Sequence, residues 1–242
     1  ISDSPKSIDP SSNDVSKGGL KVGFLGCGVI AASIARGLLT QSSPDNKKGV
    51  PIQSVFVTKR SENRSTALKL SFPHRVTISD NSQLVIDHPD LLFLCVLPQQ
   101  AENLLSEVSF DERRHTLVSL VSTATLADLA SCSKLPPSSV YHMICLPSVA
   151  QLQGVCLLAP PSSSSSVDLQ SLLENLGGVV ECETESQMVT MTSVTALMGP
   201  AYAILKSNRD YLIRNGVPPS KASSFVAKFY RSAVEEEVRF DD

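Results

Sequence analysis

Val22-Gly23-Phe24-Leu25 runs into Gly26-Cys27-Gly28-Val29-Ile30-Ala31 and on into Ala32-Ser33-Ile34-Ala35-Arg36-Gly37-Leu38-Leu39. An apolar strand, then Gly-x-Gly-x-x-Ala, then a helix of small and apolar residues is the order that a dinucleotide pyrophosphate requires. Gly26 suits the tight turn out of the strand, and Gly28 has no Cβ to obstruct the phosphates. Ala31 lets the helix lie close to the sheet. The first turn, opened by Val29 and Ile30, presents free N–H groups and the positive end of the helix dipole to an anion. This segment alone restricts the chain to an α/β architecture with a ligand at the carboxyl edge of a sheet.

The rest of the chain agrees with that architecture. Strand-like runs at Val22–Leu25, Ser54–Val57, Val76–Ser79, Leu91–Val96, Thr116–Val121, Val140–Ile144, Val155–Leu158 and Val179–Cys182 alternate with helical patterns at Val29–Leu39, Glu62–Leu70, Gln99–Val108 and Val167–Leu176. Such alternation predicts a Rossmann-type, mostly parallel sheet. After residue 183 only helical patterns remain. Thr184-Glu185-Ser186-Gln187 reads as a capping box, a second helix follows Gly199-Pro200 and ends near Asn215-Gly216, and a third starts at Pro218-Pro219-Ser220. Ala222, Val226, Phe229 and Ala233 form an apolar stripe on that third helix. The expected organisation is a tail over 1–19, a dinucleotide-binding Rossmann domain over 20–183 and a small all-helical dimerisation and substrate domain over 184–242. The tail, rich in Ser, Asp, Lys and Pro, is expected to be disordered. Ile1 at the start suggests a processed or trimmed product.

Composition narrows the partners. With 42% hydrophobic residues in 242, the chain can bury a substantial core, and its net charge of −3 gives no footprint for nucleic acid. The richest apolar run, Leu91–Leu97, is too short to span a membrane, so no membrane partner is expected. Six dispersed cysteines without a C-x-x-C pair exclude a disulfide framework and give no metal-ligand spacing. They imply a reducing setting, the cytoplasm, with an organelle left open because a removed transit peptide leaves no trace.

Three segments carry a family resemblance. Gly23-Phe24-Leu25-Gly26-Cys27-Gly28, Leu94-Cys95-Val96-Leu97-Pro98-Gln99 and Val194-Thr195-Ala196-Leu197-Met198-Gly199-Pro200-Ala201-Tyr202 resemble, in order and spacing, motifs of the pyrroline-5-carboxylate reductases. The resemblance implies a Rossmann domain, a helical domain that dimerises, and reduction of a cyclic imine to proline with NADPH or NADH. Leu97 stands where the family has Lys, Met143-Ile144-Cys145-Leu146-Pro147-Ser148 lacks the family's Asn, and Asp242 precedes the family's Thr- and Gly-rich segment. The chain therefore reads as a divergent or C-terminally shortened member.

Thr58-Lys59-Arg60-Ser61 ends the second strand without the acid that would take the ribose hydroxyls of NAD. Lys59, Arg60 and the hydroxyls of Thr58 and Ser61 suit a 2′-phosphate, Arg60 bidentately, so NADP(H) is the expected cofactor with NAD(H) left open. Val96, Leu97 and Pro98 are candidates for the nicotinamide side. Ser119 and Ser122 to Thr125 read as helix caps or as hydroxyls for the ligand. Gly199 and Pro200 are expected to open a helix whose amides hold a substrate carboxylate, with Tyr202 lining the pocket. No catalytic acid or base stands out, and His142 reads as a structural residue. A homodimer or higher homo-oligomer and a small-molecule substrate are the expected partners. Two other functions stay open: a related oxidoreductase acting on another imine or carbonyl, and a cofactor-binding protein without turnover.

Overall fold

Glycines and apolar strand residues set the frame seen in the computed structural model, which describes residues 19–42, 49–59 and 61–237. In chain order, β1 (Leu20–Leu25), α1 (Val29–Gln41), β2 (Ile52–Thr58), α2 (Glu62–Ser71), β3 (Val76–Ser79) and α3 (Ser82–Asp87) build one flank. The other flank comprises β4 (Leu91–Leu94), α4 (Pro98–Glu107), β5 (Thr116–Ser119), α5 (Leu126–Ser133), β6 (Val140–Cys145), β7 (Cys156–Ala159), α6 (Leu169–Glu174) and β8 (Val179–Glu181). The helices α7 (Glu185–Val194), α8 (Met198–Arg214) and α9 (Pro219–Glu237) follow. The tail expected over 1–19 lies outside the described residues except for Gly19.

The eight strands form one sheet in the order β3-β2-β1-β4-β5-β6-β7-β8, parallel except where β6 meets β7. Ten residues link β6 to β7, including a 3-10 turn at Pro147–Gln151, too few for the usual parallel crossover of a dozen or more, so β7 returns antiparallel. Strand order reverses between β1 and β4, and that switch point is where open α/β sheets hold ligands.

Both faces of the central strands are covered, which explains why β4 is apolar throughout, Leu91 to Leu94 all being fully buried. On one face Phe24 and Phe93, paired in register, stack with ring centroids 5.0 Å apart among Ile34, Leu38 and Leu172. On the other, Leu25, Leu92, Leu94 and Leu117 pack with Ala101, Leu105 and Leu129. Ala31 is buried in the first cluster, the close helix-to-sheet contact that its small side chain permits.

Boundaries differ from the sequence expectation where caps intervene. β4 ends at Leu94 and β5 at Ser119, α3 appears between β3 and β4, and α5 starts directly after Thr125, one of the residues read as caps. Asn81 Oδ1 accepts from the Gln83 amide at 2.8 Å to start α3. Thr125 and Asp128 form a capping box on α5, with the Asp128 amide donating to Thr125 Oγ1 at 3.1 Å. At α7 the expected box is half made: the Gln187 amide donates to Thr184 Oγ1 at 3.2 Å, but Gln187 Oε1 accepts from the Glu183 amide.

The chain divides into two compact units, residues 1–188 and 189–242. In the second, α8 and α9 form a helical hairpin whose turn uses Gly216 at φ +87°, with Asn208 bonded to Tyr230 and with Ala222 and Val226 buried. Phe225, Phe229 and Val234 lie exposed on α9. Two expectations need correction here. Gly199 and Pro200 do lie in the first turn of α8, which starts at Met198 and where the missing N–H of Pro200 costs little, but Leu197 before them already has helical angles (φ −76°, ψ −7°), so this helix start continues a helical run instead of leaving a loop. The helical stretch Glu185–Arg214, 30 residues with a most apolar window of mean hydropathy 1.4, is also long and apolar enough by length and composition to cross a membrane. Interspersed Ser, Thr and Ala conceal it from a search for continuous apolar runs, yet Ser186 to Leu205 carries no charged side chain.

Candidate active site

Three strand ends are tied together around the glycine turn. Gly26 has φ +106°, and a Cβ there would lie 2.4 Å from the Cys95 carbonyl oxygen, so both conformation and space demand glycine. Its amide donates to Thr58 Oγ1 at 2.8 Å, while the Cys95 amide donates to the Leu25 carbonyl at 2.8 Å. The ends of β1, β2 and β4 are thereby fixed to one another.

Gly28 is glycine for a different reason. Its φ of −75° is open to any residue, and a Cβ built on it meets nothing within 4 Å. It is the N-cap of α1, and Ala32 is the residue whose amide returns to the Gly28 carbonyl, at 3.0 Å. The amides of Val29, Ile30 and Ala31 precede that bond and have no carbonyl within the helix to pair with. An empty approach over unpaired N–H groups fits a pyrophosphate.

A cleft of about 430 Å³ opens beside this turn, and it brings Gly26, Thr58, Lys59 and Val96 together with Glu62, Asp80, Ser82 and Leu104. Thr58 is nearly buried, its hydroxyl held by Gly26. Lys59 Nζ is 3.7 Å from Glu62, an exposed pair. Ser61 borders an adjacent cleft with Arg64, whose Nη1 donates to Ser61 Oγ at 3.2 Å. Arg60 lies outside the described residues. Val29 borders a third cleft with Ser33, Arg64 and Ser148, and Ile30 packs half-buried on the core. Leu97, an exposed N-cap, and Pro98 at the first position of α4 follow β4; Pro98 lines a pocket of about 270 Å³ between α4 and α5 with Thr123 and Asp128. Gly199, Pro200 and Tyr202 belong to the second unit, Tyr202 with its side chain exposed.

Electrostatics remove the nearby thiols as nucleophiles. Burial pushes Cys27 up against the opposing pull of Arg64, and burial pushes Cys95 up strongly with a further contribution from Cys27. No histidine lines these clefts. His142, buried on β6, places Nδ1 3.0 Å from Glu185 Oε1, which also accepts from the Leu126 amide at 3.0 Å. No cluster of three or more metal-ligating side chains occurs among the described residues. Ser119 Oγ accepts from the Val121 amide, so it and Thr125 hold backbone.

Arg64, Asp80 and Ser82 were not expected at the site. Ser61-x-x-Arg64 spacing, which puts both residues on one side of the first turn of α2, was the available signal for the arginine. Asp80 and Ser82 follow β3, whose carboxyl end shares the ligand edge of a parallel sheet.

Comparison with known proteins agrees with this geometry. A family model described as NADP oxidoreductase, coenzyme F420-dependent, matches residues 21–123. Pyrroline-5-carboxylate reductase 1 of Bacillus subtilis is 31% identical over 187 residues, covering 75% of this chain and 59% of that one. The chain spans 59% to 70% of the length of such curated relatives. Among solved structures, 1-pyrroline-5-carboxylate reductase of Streptococcus pyogenes superposes with a TM-score of 0.70 at 21% identity, covering 90% of this chain and 79% of that chain. The pyrroline carboxylate reductase of Plasmodium falciparum, solved with NADP bound, gives 0.69 at 17% identity, covering 89% and 78%. In the order of its motifs and in its fold the chain is similar to the pyrroline-5-carboxylate reductases.

Proposed function

We propose that this chain binds NADP(H) at the β1–β4 switch point and reduces a cyclic imine, 1-pyrroline-5-carboxylate, to proline. The observation that carries the reading is the pair of glycines: Gly26 forced by its backbone, and Gly28 left open above the first turn of α1. A ligand that needs the backbone close accounts for the second. The Plasmodium relative's bound NADP and the names of the curated relatives support the same cofactor and reaction.

Gly26, Gly28, Val29 and Ile30 would hold the pyrophosphate, and Thr58, Lys59, Arg60 and Ser61 the adenosine side. Val96, Leu97 and Pro98 would border the nicotinamide, with Gly199, Pro200 and Tyr202 on the substrate side. The cofactor, when bound, supplies a hydride. A pyrroline nitrogen that arrives protonated is already an electrophilic iminium, so the protein's work is chiefly orientation. This agrees with clefts lined by hydroxyls, backbone and charged side chains without a histidine.

We assign residues 20–183 to dinucleotide binding and 184–242 to pairing with a second copy, an assignment supported by the exposed Phe225, Phe229 and Val234 and by the uncharged stretch from Ser186 to Leu205. All six cysteines are free, in keeping with a reducing compartment, the cytoplasm or an organelle. Titrating the purified chain with NADPH and then adding the imine tests the proposal. NADPH binding followed by imine-dependent oxidation supports it; binding without oxidation leaves a cofactor-binding protein, and oxidation only with other imines or carbonyls leaves a related oxidoreductase.

A further inference from the structure

Val29, Ala32, Ser33 and Arg36 fall at i, i+3, i+4 and i+7 of α1, and Arg64, Ala67 and Leu68 repeat the start of that spacing on α2, so each set forms one row of side chains. The two rows border a common cleft of about 570 Å³. Its third wall is the 3-10 turn Pro147–Gln151, which is held hard against α1. A Cβ on Gly37 would lie 2.3 Å from the Val149 carbonyl oxygen, and one on Gly154 would lie 2.6 Å from Val149 Cγ1. With Val149 fully buried between these glycines, its neighbours Ser148 and Ala150 are fixed at the cleft.

The cleft is rich in donors, in a protein of net charge −3. The guanidiniums of Arg36 and Arg64, the hydroxyls of Ser33 and Ser148 and the carboxamide of Gln151 border it, and no carboxylate does among the described residues. Neither arginine has a carboxylate partner among those residues. Arg36 is positioned without being neutralised: its Nη2 donates to Ser71 Oγ at 3.2 Å and its guanidinium lies over the Phe72 ring, 5.8 Å from the centroid. The rest of its N–H fork is left for a ligand. Between the polar groups, Ala32, Ala67, Leu68 and Ala150 supply an apolar floor.

We infer that this cleft binds a small amphipathic anion, with a carboxylate or phosphate head on Arg36 and Arg64 and a short apolar body over Ala32, Leu68 and Ala150. The volume falls within the roughly 300–1,000 Å³ of small-molecule sites. Two guanidiniums beside two hydroxyls match the oxygens of such a head, and the apolar floor favours an anion with a body over a bare inorganic one. Arg64 also borders the cleft of Ser61, so Arg36 is the group that sets this site apart from the dinucleotide. It stands roughly two turns, about 12 Å, along α1 from the Gly28 cap.

The test is calorimetric titration of the whole chain with octanoate, octyl phosphate, inorganic phosphate and octylamine, each with and without saturating NADPH. Octanoate or octyl phosphate should bind at one site per chain, the tighter of the two naming the head, with inorganic phosphate at least about tenfold weaker and octylamine not bound. Arg36→Gln should weaken the amphipathic anion at least about tenfold, and Gln151→Glu, which sets a carboxylate at an exposed position of the cleft, should do the same. Both variants should melt with the parent and keep its NADPH affinity within about threefold, and NADPH should alter the anion's affinity less than about threefold. An Arg36→Gln variant that binds the anion as the parent does, octylamine that binds as tightly, or inorganic phosphate that equals the amphipathic anions overturns the assignment. Displacement by NADPH overturns it too, because the cleft then belongs to the dinucleotide. A parent that takes up octanoate but no NADPH overturns the proposed function and supports this site.

Discussion

The Gly26 amide donates a buried 2.8 Å hydrogen bond to the Thr58 hydroxyl, joining the glycine turn after β1 to the end of β2. Thr58 therefore acts on the site first through the backbone it holds. Thr58→Val keeps the shape but leaves the Gly26 N–H unpaired, a loss of about 1–3 kcal/mol. Denaturant unfolding should show that loss, and NADPH affinity should fall with it; Thr58→Ser should restore both. A Thr58→Val chain as stable as the parent contradicts this role.

Gly26 and Gly28 should fail differently when replaced by alanine. Gly26→Ala drives a Cβ against the Cys95 carbonyl at a positive φ, so its midpoint of unfolding should drop and soluble yield with it. Gly28→Ala meets open space, so stability should stay within about 0.5 kcal/mol while NADPH affinity falls at least about tenfold. Thermal melts paired with cofactor titrations separate the two. Retained cofactor affinity in Gly28→Ala would place the pyrophosphate elsewhere.

Two buried histidines predict acid sensitivity. Burial is the largest influence on both His115 and His142 and pushes each imidazole down; Arg114 adds to this for His115, and Glu185 opposes it for His142. His115 Nδ1 accepts the Asp111 amide at 2.9 Å, a bond that protonation at this nitrogen destroys. Because the folded values lie below the ordinary value of about 6.5, the unfolded chain binds more protons under that pH. Stability should therefore be complete above about 6.5 and decline as the pH drops toward the folded values. Melting temperatures across that range should fall on acidification and fall less in a His115→Asn, His142→Gln double variant. A flat profile in the parent contradicts it.

Phe225 and Phe229 stack on α9 with centroids 6.1 Å apart, and both are exposed. If this face covers a second copy, light scattering at micromolar concentration should give a dimer or larger, and Phe229→Glu should shift it toward monomer. A parent that is monomeric there removes the assignment.

The glycine turn was legible because residue identity encodes a backbone demand, as Gly26 at φ +106° shows. Strand positions were legible from continuous apolar runs such as Leu91 to Leu94, but their ends were not, because Ser119 and Thr125 bind local amides and stop the pattern early. Short helices without a full apolar period, α3 and α5, left only their caps as a signal. Gly199-Pro200 reads as a start in isolation, yet the residues before it are already helical, and proline in a first turn does not break the run. Arg64 was overlooked because its relevance depends on the cleft it shares with Ser61, a tertiary fact.

Imine reduction itself is the most direct measurement. The purified chain, mixed with NADPH and 1-pyrroline-5-carboxylate, should lose NADPH absorbance only when both are present and should yield one proline per NADPH consumed. Gly28→Ala should abolish the signal at limiting cofactor. NADPH that binds the parent yet is never oxidised by this imine would contradict the account.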